Sequence, residues 1–314
     1  MKKNSKIFIA GHKGLVGGEI CTQLRAKGYS NIIVRSKNEL DLRNQADTKK
    51  FFADNSIDYV ILAAAKVGGI SHNAAHPAEF IYDNLQIQNN VIHYAYKSNV
   101  KKLLFLGSAC IYPKVTKQPI KEDSLLTSPL EPTNEAYALA KIAGLKMGQF
   151  YSQQYGFNVV SVMPANLYGP GDNFHLSNSH VIPALLRKFD TAKNSNSPEV
   201  ICFGDGSPIR EFLHVSDLAD ACIFIMNEYN SPEHINIGAD TAICIKDLAY
   251  MIKDLVGFTG EIKWDTSKPN GTLVRKLDTT DLDRLGWTST VNLKDGLEQT
   301  YKWFLESSDK DLRL

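Results

Sequence analysis

The apolar run Ile7-Phe8-Ile9-Ala10 passes without a break into Gly11-His12-Lys13-Gly14-Leu15-Val16-Gly17, and an amphipathic helical pattern follows to about Lys27. A strand that reaches a helix through three glycines, one at every third position, has few ways to fold. Glycines allow a sharp turn and let backbone N–H groups approach a phosphate, with the positive end of the helix beneath it. Such turns also occur for packing alone, and the GxxGxxG spacing differs from the commoner GxGxxG fingerprint. With a strand before it and a helix after it, the turn reads as a nucleotide-binding unit. Gly11, His12, Lys13, Gly14, Leu15, Val16 and Gly17 would line the cofactor.

The alternation continues. Strands are expected at 32–34, 59–62, 103–107 and 159–163, and helices at 48–55, 77–98 and 134–155. Near-continuous apolar strands separated by helices indicate a parallel sheet covered on both faces. Small residues after the third strand, Ala63-Ala64-Ala65-Lys66-Val67-Gly68-Gly69, leave room for a cofactor at the sheet's carboxyl edge. After Met163 the texture changes to the turn-rich Pro164–Asp172, with helices expected at 180–193, 216–228 and 294–305 and strands at 200–203 and 235–238. No repeat or long linker separates the two textures. The expected fold is α/β: a Rossmann-type doubly wound parallel sheet with a smaller, interwoven α/β substrate domain. Residues 1–166 and 215–238 form the first domain, and 167–214 and 239–314 the second.

Composition excludes several classes. A net charge of +1 over 314 residues gives no basis for binding nucleic acid or an anionic membrane. No apolar run approaches the ~20 residues of a membrane span. The apolar part of MKKNSKIFIAG is too short for a signal peptide, so the expected location is cytoplasmic. The cysteines at 21, 110, 202, 222 and 244 are scattered without a CxxC pair, which indicates neither a metal site nor a disulfide framework.

Arg35-Ser36-Lys37 follows the second strand, where an NAD site usually has an acidic residue for the ribose 2′-hydroxyl. Two cations there, with Lys13 in the turn, suit a 2′-phosphate and favour NADP. The alternative is that Arg35 and Lys37 are merely solvated. Asn84, on the long helix, reads equally as a polar helix residue or a cofactor contact.

The candidate chemistry lies between Leu103 and Lys141. The fourth strand stops at Gly107 and is followed by Ser108, Cys110 and Tyr112; the next helix carries Tyr137 and Lys141. Four residues apart on a helix places the phenol and the amine on one face. A phenol's ordinary pKa near ~10 is high for proton exchange at neutral pH, and an ammonium beside it would lower it.

The strings AGHKGLVG, AAAKVGGI, LLFLGSACIYP, LEPTNEAYALAKIAG, NLYGP, NSHVIPALLRKF and REFLHV together resemble the GDP-L-fucose synthase family of extended short-chain dehydrogenase/reductases, over nearly the whole chain. The resemblance implies an NADPH-dependent enzyme that inverts C3 and C5 of GDP-4-keto-6-deoxy-D-mannose and then reduces C4. A related GDP-4-keto sugar, such as a heptose derivative, is the alternative. Tyr137 would give a proton to the C4 oxygen, Ser108 would hold that oxygen, and Lys141 would act beside Tyr137 and hold the nicotinamide ribose. Cys110 and His180 would be the acid–base pair of epimerisation, with either in either role. Leu106, Gly107, Pro164, Asn166, Leu167 and His180 would line the cofactor. Lys188 and Arg210 would hold the diphosphate, and Asn270 would stand in a substrate loop. Phe203 is either a ring against the base or sugar, or an ordinary core aromatic. Asn270 stands where the family usually has Asp, and Leu273-Val274 replaces the usual Pro-Arg. A homodimer through the two long helices is implied.

Overall fold

The computed structural model describes residues 1–175, 179–268, 270–308 and 312. Its elements are β1 (Ile7–Ala10), α1 (Leu15–Ala26), β2 (Ile32–Ile33), α2 (Gln45–Asp54), β3 (Tyr59–Leu62), α3 (Ile70–Ala75), α4 (Pro77–Lys97), β4 (Lys102–Leu106), α5 (Glu135–Tyr155), β5 (Val159–Pro164) and β6 (Asn166–Tyr168). They continue with α6 (Val181–Asn194), β7 (Glu199–Phe203), β8 (Ile209–His214), α7 (Val215–Glu228), β9 (Ile235–Ile237), β10 (Ala242–Cys244), α8 (Ile245–Val256), β11 (Glu261–Asp265), β12 (Val274–Arg275), α9 (Thr280–Arg284) and α10 (Leu293–Glu306).

Six strands pair in parallel in the order β2-β1-β3-β4-β5-β9. β2 lies on one side of β1 and every later strand of this sheet on the other, so the winding direction changes between β1 and β3. The carboxyl ends of strands at such a point form a crevice. β1, β4 and β5 are buried along their whole length, which explains why they are apolar but for Lys102 and Ser161. The expected doubly wound sheet is therefore present.

A second set of strands centres on β8. It pairs antiparallel with β10 and parallel with β6 and β12, while β7 pairs with β11. Residues of β7, α6, α8 and α10 pack around Phe174, Phe189, Phe212 and Leu248 as a separate core. Leu277, Leu282 and Trp287 instead pack into the larger core under the six-stranded sheet, so the C-terminal segment crosses back over it.

Lys102 is an unusual occupant of β4. It is 3% exposed, and its ammonium donates to the carbonyls of Ile225 (2.8 Å) and Met226 (3.0 Å) at the end of α7. A lysine here satisfies helix-terminal carbonyls that would otherwise be buried without donors.

His234, just before β9, is 7% exposed beside the Tyr112 ring. Burial, helped by Lys146, pushes its pKa from 6.5 down to about 4. Between those values the unfolded chain takes up a proton that the native imidazole refuses. This term therefore costs no stability above pH 6.5 and costs about 3 kcal/mol by pH 4. Glu211 and Glu122 shift upward through burial and act in the opposite direction. The term is therefore isolated by comparing the protein with His234→Phe in urea titrations at pH 7 and pH 4. The variant gains about 3 kcal/mol relative to wild type on going to the lower pH; a constant difference would show that His234 carries no such term.

Candidate active site

The β1–α1 turn is formed by backbone that only glycine fits. Gly11 has φ +92°, and a Cβ there would stand 2.7 Å from the Ala64 nitrogen. At Gly17 a Cβ would stand 2.2 Å from the Gly11 oxygen, so helix and turn touch directly. Gly14 is the N-cap of α1; no side chain caps this end, and no acid occupies its first turn. An uncapped helix start after such a turn suits an anionic phosphate, and these residues fit a dinucleotide.

Arg35 donates to the Val34 carbonyl at 2.7 Å, and its guanidinium lies 5.7 Å from the Phe51 ring centre. An acid that sequence reading passed over, Glu39, also occupies this corner. Its carboxylate accepts from the Ser36 N–H (2.7 Å) and hydroxyl (2.6 Å). Those bonds, with Arg35 and Lys13, hold its pKa below the ordinary value. Glu39 is thus committed to Ser36, while Lys13 and Arg35 supply the positive charge of the corner.

Asn84 is resolved as a brace. Its carboxamide accepts from the Lys66 N–H and donates to the Lys66 and Phe80 carbonyls, fixing the loop after β3. Leu106 and Gly107 lie at the carboxyl end of β4, with Pro164 ending β5; Asn166 and Leu167 lie on β6, and Asn166 donates to the Glu211 carbonyl at 2.9 Å.

Lys141 is buried and donates to the Leu106 carbonyl at 2.7 Å, with its ammonium 5.8 Å from the Tyr137 ring centre. Burial pushes its pKa down to about 7. Tyr137 keeps part of its ring exposed, but its hydroxyl is enclosed. Burial and the neighbouring Cys110 push its pKa above the ordinary value, against a hydrogen bond with Ser108 that lowers it. The expected lowering of Tyr137 by Lys141 is thus not what this arrangement shows. Desolvation dominates, the phenol stays protonated at neutral pH, and Lys141 titrates near neutrality.

Ser108 caps the 3-10 turn 109–111, its hydroxyl accepting from the Cys110 N–H at 3.2 Å. The Cys110 sulfur in turn accepts a hydrogen bond from the Asn134 amide at 3.3 Å. Arg275, on β12, donates to the Ala109 carbonyl at 3.2 Å. Arg210, on β8, is influenced by Arg275, Cys110 and Glu131; burial, reinforced by Arg275, brings its pKa down to about 10. Ser108, Cys110, Tyr137 and Lys141 therefore share one site with two close guanidinium groups, an arrangement that favours an anionic ligand. Sequence reading missed Arg275. The signal was the arginine one position beyond Leu273-Val274.

Phe203 is 60% exposed, which rules out the core reading. Lys188 stands 4.4 Å and Lys268 6.0 Å from its ring centre, and Lys188 also donates to the Ile201 carbonyl. Asn270 accepts from the Asp205 N–H at 3.0 Å and so latches two loops beside Phe203. His180 is exposed at the N-cap of α6, and among the described residues no contact joins it to Cys110, Ser108 or Tyr137. No group of three or more His, Cys, Asp or Glu among the described residues could hold a metal ion.

The profile of the NAD dependent epimerase/dehydratase family matches residues 7–238. A GDP-L-fucose synthase of Escherichia coli K12 is 51% identical over 314 aligned residues, covering 97% of this chain and 98% of that one. A GDP-6-OMe-4-keto-L-xylo-heptose reductase from C. jejuni superposes with a TM-score of 0.93 at 38% identity, covering 98% of this chain and 99% of that one. A GDP-L-fucose synthetase from Naegleria fowleri, bound to NADP, superposes with a TM-score of 0.90 at 30% identity, covering 98% and 94%.

Proposed function

We infer this chain's reaction from its membership: it belongs to the NAD dependent epimerase/dehydratase family and, within it, to the GDP-L-fucose synthases. It is an NADP-dependent oxidoreductase with epimerase activity. It inverts C3 and C5 of GDP-4-keto-6-deoxy-D-mannose and reduces the C4 ketone to give GDP-L-fucose. The observation that carries this reading is the placement of Cys110 in one cluster with Ser108 and Tyr137, joined to them by the Ser108 hydroxyl and by its influence on the phenol.

A C4 ketone acidifies the hydrogens on C3 and C5. Ser108 and Tyr137, bonded to the C4 oxygen, stabilise the enolate left when either proton is removed. Cys110 and His180 act as base and acid, one removing a proton and the other returning one to the opposite face. A thiol and an imidazole suit this exchange because their ordinary pKa values lie near ~8.5 and ~6.5. NADPH, when bound, supplies the hydride that reduces C4. Tyr137, held protonated by burial, then gives its proton to the C4 oxygen. Lys141 orients the cofactor ribose beside it. Arg210, Arg275 and Lys188 balance the diphosphate, and Phe203 offers its face to the guanine or sugar.

A second reading is the same chemistry on another GDP-4-keto sugar. It is favoured by the likeness to the heptose reductase and by the substrate loop, where Asn270 is spent on Asp205. Incubation with GDP-4-keto-6-deoxy-D-mannose and NADPH, followed by NMR of the sugar, separates the two. GDP-L-fucose is the expected product, with a KM for NADPH about tenfold below that for NADH. Absence of turnover on this sugar would remove the first reading.

Residues 1–166 and 215–238 are assigned to the cofactor, and 167–214 and 239–314 to the nucleotide sugar. Two copies associate through α4 and α5, a reading supported by the exposed Tyr82, Leu139, Phe150 and Tyr155 on those helices. Among the described residues no helix is long and apolar enough to cross a membrane; the proposed location is the cytoplasm.

A further inference from the structure

The helix that carries Tyr137 and Lys141 begins without the cap its sequence provides. Asn134 is the N-cap of α5, and asparagine is favoured there because its side-chain oxygen accepts from the first free N–H groups. Elsewhere this chain uses asparagine in that way. Asn44 accepts from Ala46 and Asp47 at α2, and Asn292 accepts from Asp295 at α10. At α5 no side-chain cap forms; Asn134 here also ends a 3-10 turn, 132–134, whose own start is capped by Glu131 accepting from the Thr133 N–H. The Asn134 amide instead turns to Cys110 and donates to its sulfur at 3.3 Å, leaving its own oxygen buried without a hydrogen-bond partner. The carboxamide oxygen thus goes unpaired while the amide serves the thiol.

A neutral thiol is a weak acceptor, while a thiolate is a strong one. The bond therefore favours the charged sulfur over the neutral sulfur and fixes its direction. We propose that Asn134 is the positioning residue of the epimerisation half-reaction, holding Cys110 in place and stabilising its thiolate. The proposal rests on the reading of Cys110 as one member of the epimerisation pair. It holds whichever direction the proton moves. If Cys110 removes the proton, the thiolate is the starting state: the C–H bond breaks, an S–H bond forms, and the electron pair passes to the C4 oxygen. If Cys110 returns the proton, the thiolate is what remains.

The other groups facing Cys110 are Tyr137 on α5, Ser108 at the end of β4, and Arg210 on β8 with Arg275 of β12 beside it. None of them changes in the test. Asn134→Asp supplies a good helix cap but no donor to the sulfur, and Asn134→Ala removes the donor without adding a charge. Each full-length variant, with no sugar present, is treated with iodoacetamide at pH 6 to 10, and labelling of Cys110 is followed by peptide mass. Labelling at pH 7 is expected to be about tenfold slower than wild type, with the difference closing by pH 10. On the keto sugar, loss of solvent deuterium incorporation at C3 and C5 exceeds loss of NADPH oxidation by about tenfold or more. Thermal melting and NADPH titration establish that both variants fold. Labelling profiles that superimpose on wild type in the folded variants overturn the proposal. Since labelling needs no sugar, wild-type inertness towards the keto sugar counts against the proposed reaction alone.

Discussion

Tyr137→Phe lowers turnover on the keto sugar by roughly 10²- to 10⁴-fold, the range a positioned proton donor contributes, with little change in NADPH affinity. The substitution removes one oxygen and keeps the ring. The edge contact with Phe80 and the approach of Lys141 to the ring face therefore persist. What is lost is the proton delivered to the C4 oxygen and one of two hydrogen bonds on that oxygen. Burial already holds the phenol above its ordinary pKa, so in the wild type this donor stays loaded across neutral pH. Ser108 remains in the variant and can bind the oxygen, but a bond from Ser108 cannot replace the missing acid. Both half-reactions should fall, since the enolate and the reduced oxygen use the same contact. The measurements are NADPH oxidation and deuterium incorporation from solvent, with a fluorescence titration of NADPH as the control. Retention of more than a tenth of wild-type turnover would remove Tyr137 as the donor.

The parts of this site that sequence made legible are those written within a few residues of one another. The β1 turn shows itself because strand, glycines and helix are contiguous, and the structure explains each glycine by contacts within that unit or with Ala64. Tyr137 and Lys141 show themselves because four residues make one helical turn. What stayed illegible depends on pairings between distant segments. No strand is expected at β8 from the sequence, since its partners β6, β10 and β12 are two or three residues long and carry no periodicity of their own. Arg275 reaches the site only through that pairing, 166 residues from its bond partner Ala109. α3 is six residues long and was not separated from the loop before it. Asn134 was misleading locally, because a favoured cap residue at a helix start gives no hint that its amide serves a cysteine 24 positions earlier. The charge balance of the crevice followed the same pattern. Desolvation, which sequence does not display, makes Lys141 rather than Tyr137 the group titrating near neutrality.

Cys110→Ser separates the two halves of the reaction. Solvent deuterium at C3 and C5 falls by about 10²-fold or more, as expected for loss of a general acid–base group, while NADPH oxidation falls far less. The product shifts towards a C4-reduced sugar with its original C3 and C5 configurations. Serine is close to cysteine in size and still offers Asn134 an acceptor, so the turn capped by Ser108 and the start of α5 should keep their places. Its hydroxyl, however, ionises at far higher pH than a thiol, whose ordinary pKa lies near ~8.5. An oxygen in this position therefore cannot exchange protons with carbon at a useful rate. Ser108, Tyr137 and Lys141, which serve the reduction, are untouched. Proton NMR in heavy water gives the exchange at each carbon, and absorbance at the NADPH band gives the hydride step on the same sample. Unchanged solvent exchange would take Cys110 out of the mechanism. Equal loss of exchange and NADPH oxidation would instead mean that this enzyme cannot reduce a sugar it has not first inverted, so that epimerisation gates reduction at Tyr137.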